Sequence, residues 1–497
     1  MASLAGMLQG QGHQVTGSDA AAYPPMSDLL EELGVTVQQP YAEGNLEPRP
    51  DLVVVGNAIS RGNVELERVL DERIPFVSMA AVVHDEFLNG REPLVVAGTH
   101  GKTTTTSMLA WIYEVASRTR PELAPSFLIG GVAENFGTSF CVRETQPFVI
   151  EGDEYDTAFF DKGPKFLHYF PDAAILTHVE FDHADIYADL EAVKTAFKRL
   201  VNVVPRRGRV VAFDGSETVT ECVAKALCGV ERYGFREDSM WRVEGLEHRG
   251  TSTQWRLLRG GEMFAELTLP MAGEHNALNA TAAAALAAGQ GIGAEAIAEA
   301  LGSFRSVKRR LEVRAEVGGV TVIDDFAHHP TAIRETLRAL REGYAGRRIW
   351  AVLEPRSNTL RRNVFEGALV ESLRLADRVV VASVFQSESI PVAERLHPEH
   401  VTARLMKLGV PAVVVADADA VVAEIAPQLR AGDVVAILSN GGFGGIYEKL
   451  PQALEKLLRE LPEGFEERLG SEGSQRTGGQ LAVEGAAIVP TTTAVAS

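Results

Sequence analysis

Short apolar runs alternate with longer amphipathic stretches along most of this chain. Runs of this length, bounded by turn residues, are typical of strands that are buried on both faces of a sheet. We predict such strands at positions 14–19, 51–56, 94–97, 146–150, 173–177, 321–325, 349–353, 379–382, 413–415 and 434–438. Because helical periodicity fills the intervals between them, the pattern predicts an α/β fold with doubly wound sheets.

The chain is too long for one hydrophobic core. It has 497 residues, whereas single cores stop growing at roughly 250–300 residues. The pattern divides into three regions, at 1–92, 93–310 and 311–462, with a basic hinge at 306–311. Residues 463–497 are rich in Gly, Ser, Thr and Ala without periodicity, so we predict a disordered tail there.

The first region has the strand and helix order of a Rossmann-like sheet. In that fold an acidic residue at the end of the second strand often binds a ribose hydroxyl. Asp19, after Ser18, is the candidate, although a simple turn aspartate would occupy the same place. The fold normally begins with a central strand and a glycine-rich turn, which are absent before the first helix of this chain. We therefore expect the first strand to be missing because the N-terminus is truncated.

The second region opens on a phosphate-binding pattern. The apolar run 94–97 is followed by Gly98-Thr99-His100-Gly101-Lys102-Thr103-Thr104 and by a predicted helix at 108–115. In such a turn, backbone N–H groups face the phosphates, the lysine reaches the β- and γ-phosphates, and the Thr103 hydroxyl can bind Mg²⁺. The full pattern has another glycine, at the position of Val96, so a glycine turn with a solvated Lys102 is the alternative.

Acidic residues gather where two further strands of this region end. The segment 151–156 carries several carboxylates after one strand, and the segment 178–185, which contains His183, follows the next. Carboxylates beside a phosphate loop are the ligands that Mg²⁺ requires, and His183 could bind a second metal. The alternatives are a solvated acidic turn and a loop histidine without a ligand.

Further candidates lie on a helix and at the strand ends of the third region. Asn276 and Asn279 share one helical face, although Asn276 would also serve as a helix cap. Arg356, beside Ser357 and Asn358, suits a peptide with several carboxylates because guanidinium binds a carboxylate with two hydrogen bonds. A structural ion pair of Arg356 is the alternative.

Composition narrows the class of protein. The formal net charge of −19, from 48 Lys and Arg against 67 Asp and Glu, argues against nucleic acid as a partner. The three cysteines lack a C-x-x-C spacing, which argues against a zinc site or a disulfide framework and fits a reducing cytoplasm. Because no apolar run is long enough to cross a bilayer, we expect no membrane partner.

Taken together, the motifs resemble those of the Mur ligase family, in the order typical of that family. They are Gly98-Thr99-His100-Gly101-Lys102-Thr103-Thr104, Glu151-x-Asp153-Glu154-x-Asp156, His183, Glu274-His275-Asn276-Ala277-Leu278-Asn279-Ala280, Arg309-Arg310 and Asp324-Asp325-Phe326-Ala327-His328-His329-Pro330. The resemblance implies three domains: a Rossmann-like domain for a UDP-sugar, a P-loop ATPase domain, and a Rossmann-like domain for the incoming amine. It also implies a cytoplasmic, ADP-forming acid–amino-acid ligase that uses ATP and Mg²⁺, and we expect a monomer.

The resemblance implies roles for individual residues. Lys102, Glu151 and His183 are the catalytic candidates, and Thr103, Glu151 and His183 are the candidate metal ligands. The candidate ATP-binding residues are Gly98, Thr99, His100, Gly101, Lys102, Thr103, Thr104, Asn276, Asn279, Arg310 and Asp325. The candidate substrate-binding residues are Ser18, Asp19, Asn57, Ala58, Arg356, Ser357 and Asn358. Lys198 stands where some members carry a carbamylated lysine between two metals, although the muramate-using branch generally lacks it.

Within the family, four segments look most like members that join UDP-N-acetylmuramate to the tripeptide L-alanyl-γ-D-glutamyl-meso-diaminopimelate in murein recycling. These segments are 57–63, 153–162, 354–359 and 439–446. The implied reaction converts the lactyl carboxylate to an acyl phosphate, which the amine of the tripeptide attacks. Three alternatives stay open: the member that adds L-alanine in de novo peptidoglycan synthesis, a folylpolyglutamate synthase, and a non-catalytic nucleotide-sugar-binding protein.

Overall fold

The computed structural model describes residues 1–22 and 26–460, and strands alternate with helices through most of it. The predicted disordered tail at 463–497 lies outside the described residues. No helix within the described ranges is both long and apolar enough to cross a bilayer.

Two small parallel sheets make up the first domain. Its strands are β1 (Thr16–Ser18), β2 (Thr36–Gln38), β3 (Val53–Val55) and β4 (Phe76–Ser78), and its helices are α1 (Ala2–Gly10), α2 (Met26–Glu32), α3 (Val64–Asp71) and α4 (Met79–Val83). β1 pairs with β2 and β3 with β4, and no strand among the described residues joins the two pairs. In the described residues, the single sheet that we predicted for this domain is two separate pairs of strands.

Helix α1 packs against the second domain. Leu4 and Met7 are buried together with core residues of the large central sheet. The hydroxyl of Ser3 lies 2.8 Å from that of Ser139, which belongs to the same sheet. The first two domains therefore share a core on this side.

A ten-stranded mixed sheet forms the second domain. Its strands are β5 (Glu92–Ala97), β6 (Ser126–Ala133), β7 (Thr138–Cys141), β8 (Pro147–Gly152), β11 (Ala173–Leu176), β12 (Arg209–Phe213), β13 (Gly229–Gly234), β14 (Trp241–Arg249), β15 (Ser252–Arg259) and β16 (Glu262–Leu269), while β9 (Asp156–Ala158) and β10 (Asp161–Pro164) form a separate hairpin. The helices are α5 (Lys102–Ser117), α6 (Leu190–Val203), α7 (Glu217–Val223), α8 (Glu274–Gly289) and α9 (Ala294–Gly302).

Strand β5 lies between β8 and β11, and the three strands run in parallel. Ala97 is opposite Leu176 on one side and opposite Gly152 on the other, so all three strands end at the same edge. Alternate residues face opposite cores: Val96 packs with residues of α5 and α8, and Ala97 packs on the other face of the sheet. The segments that follow these strands are thereby brought together.

The third domain contains a six-stranded sheet. Its strands are β17 (Glu312–Val317), β18 (Val320–Asp325), β19 (Ile349–Leu353), β20 (Arg378–Ala382), β21 (Ala412–Val415) and β22 (Val434–Leu438), and its helices are α10 (Pro330–Gly343), α11 (Glu366–Leu373), α12 (Pro398–Lys407), α13 (Ala418–Ile425) and α14 (Ile446–Glu460). The order is β17-β18-β22-β19-β20-β21, with only β17 antiparallel. Asp325, Leu438 and Leu353 are in register, so polar residues that follow these strands also meet at one edge.

Candidate active site

The predicted phosphate loop connects β5 to α5. Gly98 and Gly101 have φ angles of 138° and 79°, which glycine adopts without strain. A Cβ on Gly101 would lie 2.5 Å from Asn279 Oδ1, and one on Gly98 would overlap the Thr177 hydroxyl. Since α5 begins directly after this turn, its N-terminal N–H groups form the kind of anion site that a phosphate requires.

The ammonium group of Lys102 is enclosed at the start of α5. Nζ donates to Gly98 O at 2.8 Å and to the two carboxylate oxygens of Glu154 at 2.8 and 3.1 Å. Burial alone would lower the pKa of Lys102, but the nearby carboxylates, Glu154 first among them, raise it overall. Lys102 is therefore charged at neutral pH, as a phosphate-binding group must be.

Glu151, near the end of β8, accepts hydrogen bonds from two sides. Thr103 Oγ1 donates to Oε1 at 2.9 Å, and the Gly130 N–H donates to Oε2 at 2.8 Å. Burial, followed by the charge of Asp153, raises the pKa of Glu151. A carboxylate and a hydroxyl this close together at a phosphate loop are oxygen ligands of the kind that Mg²⁺ prefers, so the residues present fit that ion.

His183 lies in the loop after β11, and its ring contacts Glu154. Nε2 is 3.1 Å from Glu154 Oε1. Burial acts to lower the pKa of His183, but Glu154 raises it overall. We expected His183 and Glu151 to share a metal, yet no hydrogen bond or ion pair joins them in the described part of the chain. Glu154 instead lies between Lys102 and His183. From the sequence we assigned it no role, although it belongs to the acidic segment 151–156.

Two residues from other elements reach the phosphate loop. Arg310, in the hinge, has Nη2 3.4 Å from Thr103 Oγ1, and Asn279 of α8 lies against Gly101. Asn276 is buried and donates from Nδ2 to Ala272 O at 2.8 Å. Because α8 is capped at Gly273, the alternative interpretation of Asn276 as a helix cap is wrong.

Asp325 makes its hydrogen bonds at the hinge and not at the phosphate loop. Oδ2 accepts from the Leu311 N–H at 2.8 Å. Oδ1 accepts from the Ala327 N–H at 2.9 Å and from the Thr336 hydroxyl at 3.0 Å. These bonds join the end of β18 to the hinge and to α10.

The loop after β11 connects the two large sheets. Glu180 Oε2 accepts from the Thr331 hydroxyl at 2.7 Å and lies 3.1 Å from Nε2 of His100. Thr359 Oγ1 donates to Asp182 Oδ1 at 2.7 Å. The carboxyl ends of the sheets therefore face each other. The sequence offered acidic residues in this loop, but their partners depend on how the domains dock.

Three family models match successive parts of the chain. Models described as the Mur ligase family catalytic domain, the Mur ligase middle domain and the Mur ligase glutamate ligase domain match residues 1–89, 96–287 and 309–441. Over 461 residues the chain is 43% identical to the UDP-N-acetylmuramate–L-alanyl-gamma-D-glutamyl-meso-2,6-diaminoheptandioate ligase of Escherichia coli, covering 92% of this chain and 96% of that protein. The chain belongs to the Mur ligase family.

Two further Mur ligases are informative. The crystal structure of a murein peptide ligase from Psychrobacter arcticus is 36% identical and superposes with a TM-score of 0.69, covering 91% of this chain and 96% of that one. A UDP-N-acetylmuramate–L-alanine ligase of Geotalea daltonii is 31% identical over 93% of this chain and 96% of its own. The predictions of family, ligase class and three-domain α/β architecture are confirmed.

The candidate sugar-binding residues of this Mur ligase lie at the end of β1 and in the loops after β1 and β3. Ser18 Oγ accepts from Asn45 Nδ2 at 3.4 Å, and Asn57 and Ala58 are exposed after β3. Asp19 Oδ1 accepts from the Ala21 N–H at 3.1 Å, which is the turn arrangement named as the alternative. In the described residues no hydrogen bond joins these loops to the phosphate loop.

The candidate peptide-binding residues lie at the end of β19. The guanidinium of Arg356 is 3.8 Å from the ring centroid of Phe385, and Nη1 is 3.5 Å from Glu354 Oε1. The structural ion pair named as the alternative is therefore present. Ser357 Oγ donates to His328 O at 3.3 Å. Asn358 Nδ2 donates to Asp185 Oδ2, in the second domain, at 2.8 Å.

Lys198 lies away from the cluster around Glu151. It belongs to α6, where its charge acts on Glu221 and Cys222 of α7. No hydrogen bond or ion pair in the described ranges joins Lys198 to Glu151 or His183. The structure therefore gives no support for Lys198 as a metal-bridging group.

Proposed function

We propose that this Mur ligase joins UDP-N-acetylmuramate to L-alanyl-γ-D-glutamyl-meso-diaminopimelate, at the expense of ATP, in the cytoplasmic recycling of murein. The observation that carries the proposal is the 43% identity, over 92% of the chain, to the Escherichia coli ligase named for these substrates. The cluster of Lys102, Thr103 and Glu151 at the phosphate loop supports it because ATP activation requires this set of groups.

The reaction follows from the chemistry of the substrates. An oxygen of the lactyl carboxylate bonds to the γ-phosphorus of ATP, and the bond from that phosphorus to ADP breaks. The tripeptide amine then bonds to the acyl carbon, phosphate leaves, and the nitrogen loses a proton to solvent. Positioning and charge neutralisation govern such transfers. Lys102 neutralises phosphate charge, and Arg310, which lies beside Thr103, adds a second positive charge.

Thr103 and Glu151 would hold Mg²⁺, and His183, positioned by Glu154, would complete the protein ligands. When bound there, Mg²⁺ would neutralise further phosphate charge. The nucleotide would also be held by loop 98–104 and by Asn276 and Asn279 of α8. Asp325 would require a rearrangement of its bonds at the hinge to join them.

We assign the domains to 1–92, 93–310 and 311–462, with UDP-sugar, ATP and tripeptide bound by each in turn. In the first domain, Ser18, Asp19, Asn57 and Ala58 are the sugar-nucleotide candidates. In the third, Arg356 is stacked on an aromatic ring and 27% of its side chain is exposed, so its guanidinium can still receive a carboxylate of the tripeptide. We assign Ser357 and Asn358 to the same subsite. We also propose that the enzyme is a monomer.

A competition assay tests the substrate. The protein is incubated with ATP, Mg²⁺, UDP-N-acetylmuramate and equal amounts of tripeptide and L-alanine, and the adducts are separated by mass. We expect the tripeptide adduct to dominate. The 31% identity to the alanine-adding relative makes that enzyme the second candidate, and a dominant alanine adduct would establish it.

A non-catalytic nucleotide-sugar-binding protein would bind UDP-N-acetylmuramate without releasing phosphate. Phosphate release that depends on both UDP-N-acetylmuramate and tripeptide, and that is lost in Lys102→Ala, would exclude it. A folylpolyglutamate synthase would instead release phosphate with a folate and glutamate.

A further inference from the structure

A buried lysine outside the phosphate loop has no place in the mechanism above. Lys165 follows β10 and opens a 3-10 turn, Lys165–His168. Only 8% of the residue is exposed. Burial of an ammonium group is costly unless its charge and its three donors are satisfied.

The hydrogen bonds of Lys165 fall short of that requirement. Among residues 1–22 and 26–460, its Nζ makes one hydrogen bond, of 3.4 Å, to Asp153 Oδ2. The same atom lies 4.2 Å from the ring centroid of Tyr155, which supplies a cation–π contact but no acceptor oxygen. Lys165 thus holds donors that a further acceptor could use.

Two other enclosed lysines of the second domain show the contrast. Lys102 donates to a backbone oxygen and to both carboxylate oxygens of Glu154. Lys194 is paired with Glu191 and Glu221. Each of these ammonium groups is held by at least two acceptors, so the single long bond of Lys165 is not the general rule for lysines in this domain.

Lys165 also lies where the first and second domains meet. Its 3-10 turn packs against β8, which carries Glu151, and against α4 of the first domain. Asp153, its partner, immediately follows β8, and the charge of Asp153 acts on both Lys102 and Glu151. One carboxylate therefore separates Lys165 from the phosphate-binding groups.

We propose that Lys165 binds the lactyl carboxylate of UDP-N-acetylmuramate and holds it beside the phosphate loop, with Asp153 as the residue that positions its ammonium group. This inference rests on the proposed function. The lactyl carboxylate must approach the γ-phosphate, which is also an anion, in a site that contains Glu151, Asp153 and Glu154. A cation on the sugar side of this acidic cluster offsets that repulsion, and Lys102 is already committed to the phosphates.

The test compares two nucleotide sugars that differ at this carboxylate. UDP-N-acetylglucosamine is the same molecule as UDP-N-acetylmuramate without the lactyl group. Calorimetry on the full chain measures both dissociation constants. We expect Lys165→Met to raise the dissociation constant of UDP-N-acetylmuramate about 10- to 100-fold, the usual loss for one hydrogen bond to a charged group. The dissociation constant of UDP-N-acetylglucosamine should change by less than about 2-fold.

Matched variants separate this role from a structural one. Lys162→Met removes an exposed lysine three positions earlier and should change neither constant. Lys165→Gln, whose side chain is one atom shorter, keeps a donor without the charge and is used if Lys165→Met does not fold. Lys165→Arg should recover part of the preference for the muramate, and Asp153→Asn should lose part of it. The KM for ATP should stay unchanged in Lys165→Arg.

Equal weakening of the two nucleotide sugars would overturn the proposal, because it would place Lys165 at the diphosphate or in the fold. Unchanged binding of UDP-N-acetylmuramate in a folded Lys165 variant would also overturn it. The binding measurement needs no amine and no turnover. If the wild-type protein releases phosphate with tripeptide while the Lys165 variants bind normally, only this inference fails; if it shows no such turnover, the proposed function fails.

Discussion

Charged residues lie at the carboxyl ends of both large sheets, but their hydrogen-bond partners differ. At the end of the central sheet, Lys102, Glu154 and His183 are held mostly by one another's side chains. At the end of the third-domain sheet, Asp325 is held chiefly by backbone N–H groups. A side chain paired with another side chain can exchange that partner for a ligand, whereas release from the backbone leaves a buried N–H unpaired. A charged residue at a strand end is therefore a good candidate for ligand binding when its hydrogen-bond partners are side chains that a ligand can replace.

Arg309 shows the structural pattern at its clearest. Its Nη2 donates to Ser439 O at 2.7 Å and to Gly441 O at 2.8 Å, and its Nε is 3.1 Å from Asp324 Oδ2. Asp324 is buried, and burial raises its pKa to about 6 in spite of Arg309. The arginine thus joins the ends of two neighbouring strands, although it stands beside Arg310, which reaches the phosphate loop.

The largest effect should come from Lys102→Ala. We expect kcat to fall by at least about 10³-fold because the variant loses the charge that we propose neutralises the phosphates. Phosphate release is the measurement, and circular dichroism establishes that the variant is folded. Lys162→Ala, at an exposed lysine, is the control and should keep normal turnover. Near-normal turnover in folded Lys102→Ala would remove the distinction between the two strand ends.

The second prediction concerns stability instead of turnover. Arg309→Ala should lower the free energy of unfolding by about 3–5 kcal/mol, because it leaves Asp324 buried without its ion pair. Arg314→Ala is matched to it, since Arg314 also lies over Tyr447 but pairs with more exposed carboxylates. That variant should lose about 0–1 kcal/mol. Urea denaturation measures both, and similar losses would show that Arg309 is not a structural anchor.

A pH prediction concerns His329, which lies where the two sheets meet. Burial, followed by the charge of His100, lowers the pKa of His329 to about 4. As the pH falls, His329 binds a proton in the unfolded chain before it does so in the folded protein. The free energy of unfolding that neutral His329 contributes is therefore fully present above about pH 6.5 and is lost as the pH falls towards 4. The loss is on the order of 3 kcal/mol for this residue.

The free energy of unfolding should fall less steeply between pH 6.5 and 4 in His329→Gln than in the wild type. The exposed residue His13 supplies the control, and His13→Gln should follow the wild-type curve. Parallel curves for wild type and His329→Gln would mean that His329 does not carry this dependence.

The smallest effect should come from the contact between the sheets. Thr359→Val removes the hydroxyl that donates to Asp182 Oδ1, which still accepts from the His183 N–H at 2.7 Å. We expect a loss of about 1 kcal/mol in the free energy of unfolding. Thr195→Val, at an exposed threonine of α6, is the control and should change stability by less than about 0.5 kcal/mol. A loss in Thr359→Val no larger than the control's would show that this bond does not hold the domains.

Local patterns identified most of the elements but not all of their extent. Each strand predicted in the third domain is present, because short apolar runs between turn residues depend little on distant contacts. Helix α5 begins at Lys102, whereas the sequence predicted a start at 108. The threonines at 103–106 have low helix propensity, which is why the prediction left them out. They are helical in the structure, where their side chains are buried. The antiparallel strands β14 to β16 were missed, although Gly260-Gly261 between two of them is a hairpin signal.

The family, the glycine turn at 98–104 and the acidic segments at the strand ends could be recognised from the sequence, because each depends on residues close together in the chain. Which of those residues meet depends on the tertiary structure. Glu154 follows β8, His183 follows β11 and Lys102 follows β5, and they meet because β5 lies between the other two strands. The same sheet order brings Glu151 within hydrogen-bond distance of Thr103 and places Lys165 beside Asp153. Pairing across a sheet depends on strand order, which spacing along the chain does not encode.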